Sequence, residues 1–267
     1  MKFRPTQVMG ILNVTPDSFS DGGKFAKVDA AIRHAYDLLE AGADVVDIGG
    51  ESTRPTAEHV SAAEEFARIE PVLARLVRDR SIRLSVDTYK AEVATRALDY
   101  GVQMINDVWG GLADAKMLST VAEAKCTYIW MHNRSARPVG DGWAELLEET
   151  LRGIERCLAV GIDKSKLWID PGIGFGKSTT QNLLAIKRLP EYTELGYPVL
   201  LGTSRKSFIG TTLDLPPDDR LEGSLATVSF GVMAGVTCVR VHDVRETVRT
   251  CRMMEAIRDA DSDTVLE

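Results

Sequence analysis

The chain lacks what would place it in a membrane, a disulfide scaffold or a nucleic-acid complex. No run approaches the roughly 18 apolar residues of a spanning helix. The opening stretch MKFRPTQVMGILNV shows no long apolar h-region and no cleavage signal. A cytoplasmic protein with no membrane association is expected. Cysteine is scarce: Cys126, Cys157, Cys238 and Cys251 are scattered without metal-like spacing. That spacing argues against a zinc cluster and predicts reduced packing residues inside strands and helices. There is no basic excess. A net charge of −7 argues against a nucleic-acid surface, while leaving room for a small basic pocket. Pro/Ser-rich linkers and low-complexity tracts are absent too, so 1–267 reads as one domain. The acidic stretch DADSDTVLE (259–267) is expected to fray.

What is present is one pattern repeated eight times, a short apolar run followed by polar residues. VMGILN ends at Asn13, and VVDIGGEST runs into Glu51 and Thr53. IRLSVD ends at Asp87, VQMIND gives Asn106 and Asp107, and TYIWMH ends at His132. KLWID ends at Asp170 and enters the glycine-rich turn PGIGFGKS. PVLLGTSRKS gives Ser204, Arg205 and Lys206, and CVRVHD gives Arg240 and His242. Helical patterns fall between the runs. AAIRHAYDLLEAG (30–42) sets Ile32, Ala35, Leu38 and Leu39 on one face and closes at Gly42. SAAEEFARIEPVLARLVRD (61–79) opens with Ser61 and Glu64 at capping-box spacing. One helix per strand predicts an α/β fold, a (β/α)8 TIM barrel with a closed parallel sheet. Chemistry in that fold sits at the carboxyl ends of the strands, where the polar residues fall. Two connections, 14–27 and 203–220, are long enough to suggest a functional role.

Asp87, Asn106 and Asp170 end three different strands. Each alone is consistent with helix capping, Asp87 before TYKAEV especially. Together in one barrel mouth they suit a flat heterocycle with an amino-oxo edge, since carboxylates accept and an amide both gives and takes. Arg54, Arg205, Lys206, Arg240 and His242 supply cations for a phosphate or diphosphate. GIGFGKS fails the Walker A template at Pro171, so its glycines are read as a tight turn over a ligand with Phe175 as a lid. His34 and His59 read as surface residues, and His132 as a satisfied mouth residue. Asn13 offers an amide oxygen suited to magnesium.

The segments MGILNVTPDSFSDGG (9–23), DIGGESTRP (47–55), SVDT (85–88), IND (105–107), IDPGIGFGK (169–177), LLGTSRKSFIG (200–210) and RVHDV (240–244) resemble the dihydropteroate synthase family of pterin-binding barrels. The resemblance implies transfer of a pterin methylene from its diphosphate ester to p-aminobenzoate. It implies a pterin diphosphate site of Thr53, Asp87, Asn106, Met131, Asp170, Gly202, Lys206, Arg240 and His242. Phe19, Thr53, Pro55, Phe175, Lys206 and Ser207 would form the p-aminobenzoate site. The catalytic groups would be Asp87, Lys206, Asp21 and Arg54, with Asn13 on Mg2+. Arg54, Ser20 and Asp21 would lie in loops that close over the site. It also implies a homodimer through the later helices and a sulfonamide target. WMHN departs from the family's LMHM-like stretch, so the resemblance assigns Asn133 no role. The alternatives are a pterin-binding methyltransferase domain and a non-catalytic pterin-binding paralogue. Both sit poorly with the complete SRKS and NVTPDSFSDGG segments.

Overall fold

The structure, a computed structural model, describes residues 5–15, 24–52, 59–134, 140 and 142–260, with only the backbone of 24 and 25. Eight parallel strands form its sheet. They are β1 Gln7–Asn13, β2 Val45–Gly49, β3 Leu84–Asp87, β4 Met104–Asp107, β5 Thr127–Met131, β6 Leu167–Asp170, β7 Leu200–Leu201 and β8 Cys238–Val241. Their order is β6-β5-β4-β3-β2-β1-β8-β7. The two ends meet through a parallel bridge of Ile169 with Val199, where Ile169 N donates to Pro198 O at 2.9 Å. The sheet is therefore a nearly closed barrel, as the eightfold pattern predicts.

Helices α1 Lys24–Glu40, α2 Ala62–Leu76, α3 Ala91–Asp99, α4 Met117–Ala124 and α5 Trp143–Ala159 separate the first six strands. The later half departs from one helix per strand. β6 is followed by α6 Thr179–Lys187 and α7 Leu189–Thr193, and β7 by α8 Ser207–Leu213 and α9 Leu221–Ala234. α10 Val244–Arg258 ends the described chain.

Strand side chains alternate between barrel interior and helix-facing exterior. The interior floor is Met9, Val45, Met104, Ile129, Trp168, Leu200 and Cys238. Two residues further along the same strands come Ile11, Asp47, Asn106, Met131, Asp170, Gly202 and Arg240. The two-residue period thus sets a polar layer directly above an apolar plug. The exterior residues, among them Val46, Ile48, Val86, Ile105 and Tyr128, pack under the helices in the main core.

Local expectations meet mixed outcomes. Gly42 takes φ +102° just past α1, as a helix-ending glycine should. α1 begins at Lys24, so the first long loop is shorter than 14–27. α2 runs through Pro71 and stops at Leu76 rather than 79. Ser61 accepts from Glu64 N, but the Glu64 carboxylate turns to Arg68 at 2.6 Å, so only half of the expected capping box forms. A complete box forms instead at Ser178 and Gln181, opening α6. The expected frayed tail falls mostly on residues 261–267, outside the described residues. All four cysteines are buried and free.

Candidate active site

The carboxyl ends of β1 to β8 deliver Asn13, Asp87, Asn106, Met131, Asp170, Gly202, Lys206, Arg240 and His242 to one mouth. Asp87 does not cap α3, whose N-cap is Lys90. Its Oδ2 instead accepts from Arg240 Nη2 at 2.7 Å. Arg240 Nε donates to Asp47 Oδ2 at 2.6 Å, and Asn106 Nδ2 donates to that same oxygen at 3.2 Å. A carboxylate only accepts, so the Asn106 atom facing Asp47 is its NH2 group, and the amide oxygen turns elsewhere. Among the described residues, Asp47 Oδ1 and Asp87 Oδ1 are buried without a hydrogen-bond partner. Such orphaned oxygens are rare in folded chains and suit a ligand that brings N–H donors.

Asp170 closes β6 and accepts from Gly172 N at 2.7 Å through Oδ1. Its other oxygen lies by Gly202, where a Cβ would sit 3.9 Å from Asp170 Oδ2, 3.8 Å from Lys206 Nζ and 4.0 Å from Arg240 Cβ. Gly202 therefore leaves open the space these three groups surround. Lys206 precedes α8 and donates to Ile173 O, and its Nζ lies 4.7 Å from the Phe175 ring centroid. That is within cation–π range. Ser207 is exposed at the first turn of α8, and Met131 is buried at the end of β5.

Burial dominates the titration of this mouth. It pushes the Asp87 carboxyl up to about 7, against the pull of Arg240 and with repulsion from Asp47 added. Burial also raises Asp170, against Lys206. It drives the Lys206 ammonium down to about 8, with Asp170 opposing. For Arg240, burial opposes the charge, but Asp47 and Asp87 outweigh it and raise its pKa.

Several expected groups have other work. Arg205 adopts φ +56° and forms a two-bond pair with Asp243, so it does not join a cationic pocket. Glu51 pairs with Lys90 and accepts from Tyr89 Oη at 3.0 Å. Asp107 binds Trp109 N, Gly111 N and Tyr128 Oη, which makes it a structural carboxylate. Asn133 Nδ2 donates to Val108 O at 2.8 Å and ties two βα loops together. His34 and His59 are exposed and His132 is buried, as expected. Ser204 Oγ accepts from His242 N at 3.2 Å and also lies within hydrogen-bond distance of His242 Nδ1, 3.0 Å away. Phe19, Ser20, Asp21, Thr53, Arg54 and Pro55 lie outside the described residues.

Sequence reasoning missed Asp47. The signal was a carboxylate inside the apolar run VVDIGG, on the same strand parity as the strand-end residues. Lys177 was missed as well, though it stands in GIGFGKS. It is buried beneath that loop, 3.0 Å from His132 Nδ1. Burial lowers it to about 7, opposed by Asp170.

Among the described residues no three His, Cys, Asp or Glu side chains cluster as a metal cage. Asn13 offers an exposed amide at the rim, its Oδ1 3.6 Å from where a Gly49 Cβ would be. One amide oxygen fits an ion that brings phosphate and water oxygens for the rest of its shell.

A polar layer over an apolar plug, at the carboxyl end of a parallel barrel, defines a barrel enzyme with a small-molecule site. The family model described as pterin binding enzyme matches residues 9–242. The dihydropteroate synthase of Bacillus subtilis is 48% identical over 252 residues, 94% of this chain and 88% of that protein. The Clostridium difficile dihydropteroate synthase solved with pteroic acid superposes at TM-score 0.92 with 46% identity, covering 96% of this chain and 98% of that one. The Xanthomonas albilineans dihydropteroate synthase solved with 4-aminobenzoic acid also gives TM-score 0.92, at 44% identity over 96% of this chain and 94% of that one. The chain belongs to the pterin-binding enzyme family and, within it, to the dihydropteroate synthases, which are transferases.

Proposed function

We propose that this chain joins 6-hydroxymethyl-7,8-dihydropterin diphosphate to p-aminobenzoate, releasing diphosphate and 7,8-dihydropteroate. The observation that carries the reading is the open space at Gly202, walled by Asp170, Lys206 and Arg240. A flat ring fits there with its amino-oxo edge on Asp170. Asp87 Oδ1 and the Asn106 amide oxygen accept from further ring N–H groups, and Met131 supplies apolar contact. Lys206 donates another of its ammonium hydrogens to a ring acceptor while Ile173 O keeps the first.

The C–O bond to the diphosphate breaks, and its electron pair leaves with the diphosphate. Arg240 and His242 take the anion's oxygens. Magnesium, when bound at Asn13, would neutralise charge on that leaving group. The methylene carbon becomes cation-like and conjugated with the ring, and ionised Asp87 stabilises that positive charge. The neutral aniline nitrogen then attacks the carbon and loses its proton. Phe175 and Ser207 border the aryl site, with Phe19, Thr53, Pro55, Arg54 and Asp21 assigned there by motif. No protein nucleophile is required.

The chain is further proposed to act as a homodimer in the cytoplasm. Phe230 and Met233 on α9, and Met253 and Ile257 on the neighbouring α10, are exposed apolar groups that support self-association. Free, buried cysteines suit a reducing compartment. The test is a coupled assay with the pterin diphosphate and p-aminobenzoate. Diphosphate release that depends on p-aminobenzoate, and competitive inhibition by a sulfonamide, are expected. Release independent of p-aminobenzoate would overturn the reading.

A further inference from the structure

The segment IDPGIGFGK contains one buried charge that the reaction above does not use. Lys177 Nζ lies 2.9 Å from Gly172 O, 3.1 Å from Phe175 O and 3.0 Å from His132 Nδ1. Three ammonium hydrogens meet three acceptors. With Lys177 charged, Nδ1 of His132 accepts and the ring's proton sits on Nε2, which lies 2.7 Å from Glu149 Oε2 and 3.1 Å from Arg134 Nη2. Burial lowers the His132 pKa to about 2, in keeping with a neutral ring. Arg134 Nη2 donates to the same carboxylate at 2.9 Å. A chain of contacts therefore runs from the glycine-rich loop, through a neutral imidazole, to a half-exposed glutamate on α5.

The loop's other face carries the substrate side. Gly172 N holds Asp170, Ile173 O holds Lys206, and the Phe175 ring lies against Lys206 Nζ. Gly172, Gly174 and Gly176 all have positive φ, and a Cβ at Gly172 would overlap His132 O. The loop is thus folded tightly around the ammonium below it. We propose that Lys177 is a positioning residue for the aryl side of the site: it clamps the Gly172 and Phe175 carbonyls and thereby places Phe175 and, through Ile173, Lys206. On the pterin side, Asp87 and Arg240 stand on β3 and β8, away from the loop, so that side depends on the clamp less. The proposal rests on the reaction assigned above.

Lys177→Met keeps the apolar stem and removes the three donors, and Glu149→Gln removes the chain's terminal charge at a half-exposed position. Loss of a charged buried hydrogen-bond partner predicts a rise of at least about tenfold in the p-aminobenzoate KM of Lys177→Met. The pterin diphosphate KM should rise by a clearly smaller factor, since Asp87 and Arg240 on β3 and β8 keep their places and only the loop-held groups loosen. Glu149→Gln should raise the same aryl KM by a smaller factor, about two- to threefold. Amide hydrogen exchange across 172–177 in the substrate-free protein should quicken in both variants. An unchanged aryl KM in both variants overturns the proposal. So does a parallel rise of both KM values with a lowered melting temperature, which marks a merely structural lysine. If Lys177→Met does not fold, Glu149→Gln decides by the same criteria. Failure of the wild-type assay would overturn the assigned reaction instead, while the exchange experiment still reads the clamp.

Discussion

Arg240 Nε sits 2.6 Å from Asp47 Oδ2 in the barrel interior, and that oxygen also receives Asn106 Nδ2. One carboxylate oxygen therefore sets the direction of two mouth residues on strands β4 and β8. Removing it leaves a half-buried guanidinium with Asp87 as its remaining carboxylate partner. Breaking a buried ion pair from one side costs about 3–5 kcal/mol. Asp47→Ala should lower the unfolding free energy by about that amount, read as a lower urea midpoint with unchanged slope. Asp47→Asn, which keeps the shape, should cost less but still weaken pterin binding because Arg240 and Asn106 lose their common anchor. Equal urea midpoints for wild type and Asp47→Ala would show that the pair contributes nothing to stability.

The barrel was legible because its period is written eight times, and because polar residues such as Asn13, Asp87, Asn106 and Asp170 share a parity with the interior. The placement of Asp87, Asn106, Asp170 and Arg240 at one mouth follows from that period, while Lys206 comes from the turn that opens α8. Asp47 was hidden because a carboxylate inside an apolar run looks like strand interior until the opposing Arg240 is seen 193 residues away. Lys177 was hidden for a similar reason, since its three acceptors are two loop carbonyls and a histidine just past β5. Arg205 misled because position after a strand does not fix side-chain direction. Its positive φ turns it toward Asp243. The extra helices α7 and α8 came from long connections whose local propensity is weak beside the tertiary packing that orders them.

Asp170 and Gly202 give paired tests of the pterin pocket. A hydrogen bond to a charged group is worth roughly 1.5–3 kcal/mol, so Asp170→Asn should weaken pterin binding at least about tenfold while the barrel stays folded. Gly202→Ala should act through shape. The added Cβ makes only ordinary contacts of 3.8–4.0 Å with Lys206, Asp170 and Arg240, so melting should hardly move. The ring's space shrinks, so affinity should fall. Calorimetric titration with the pterin measures both, and wild-type affinity in either variant removes that residue from the pocket.

Asn13 predicts how the enzyme depends on its metal. A single amide oxygen at the rim cannot hold magnesium alone, so the ion should arrive with the diphosphate. Excess chelator should suppress turnover and leave the melting temperature of the substrate-free protein unchanged. Asn13→Ala should raise the magnesium concentration needed for half-maximal rate. Full turnover in excess chelator would remove the metal from the reaction.

Asp87 and Lys206 together predict a narrow working range of pH. Burial lifts the Asp87 carboxyl from its ordinary 3.8 to about 7, so the folded chain holds that proton more tightly than the unfolded chain. Between those values the native state binds more protons, and Asp87 makes stability fall as pH rises. Lys206 has the opposite sign. Burial lowers it from 10.5 to about 8, so between those values the unfolded chain binds more protons. Its unfavourable contribution is therefore relieved as pH rises through that window. Catalysis needs the less favoured form of each group, an ionised Asp87 beside the methylene and a charged Lys206 at the ring. The rate constant kcat/KM should climb through about 7 and decline through about 8, its two limbs following Asp87 and Lys206. Asp87→Asn should remove the acid limb along with most of the rate. Lys206→Arg should retain partial activity and carry the alkaline limb upward, because guanidinium stays charged throughout. A profile flat from about pH 6 to about pH 9 would show that neither group titrates in the free enzyme's rate-determining form.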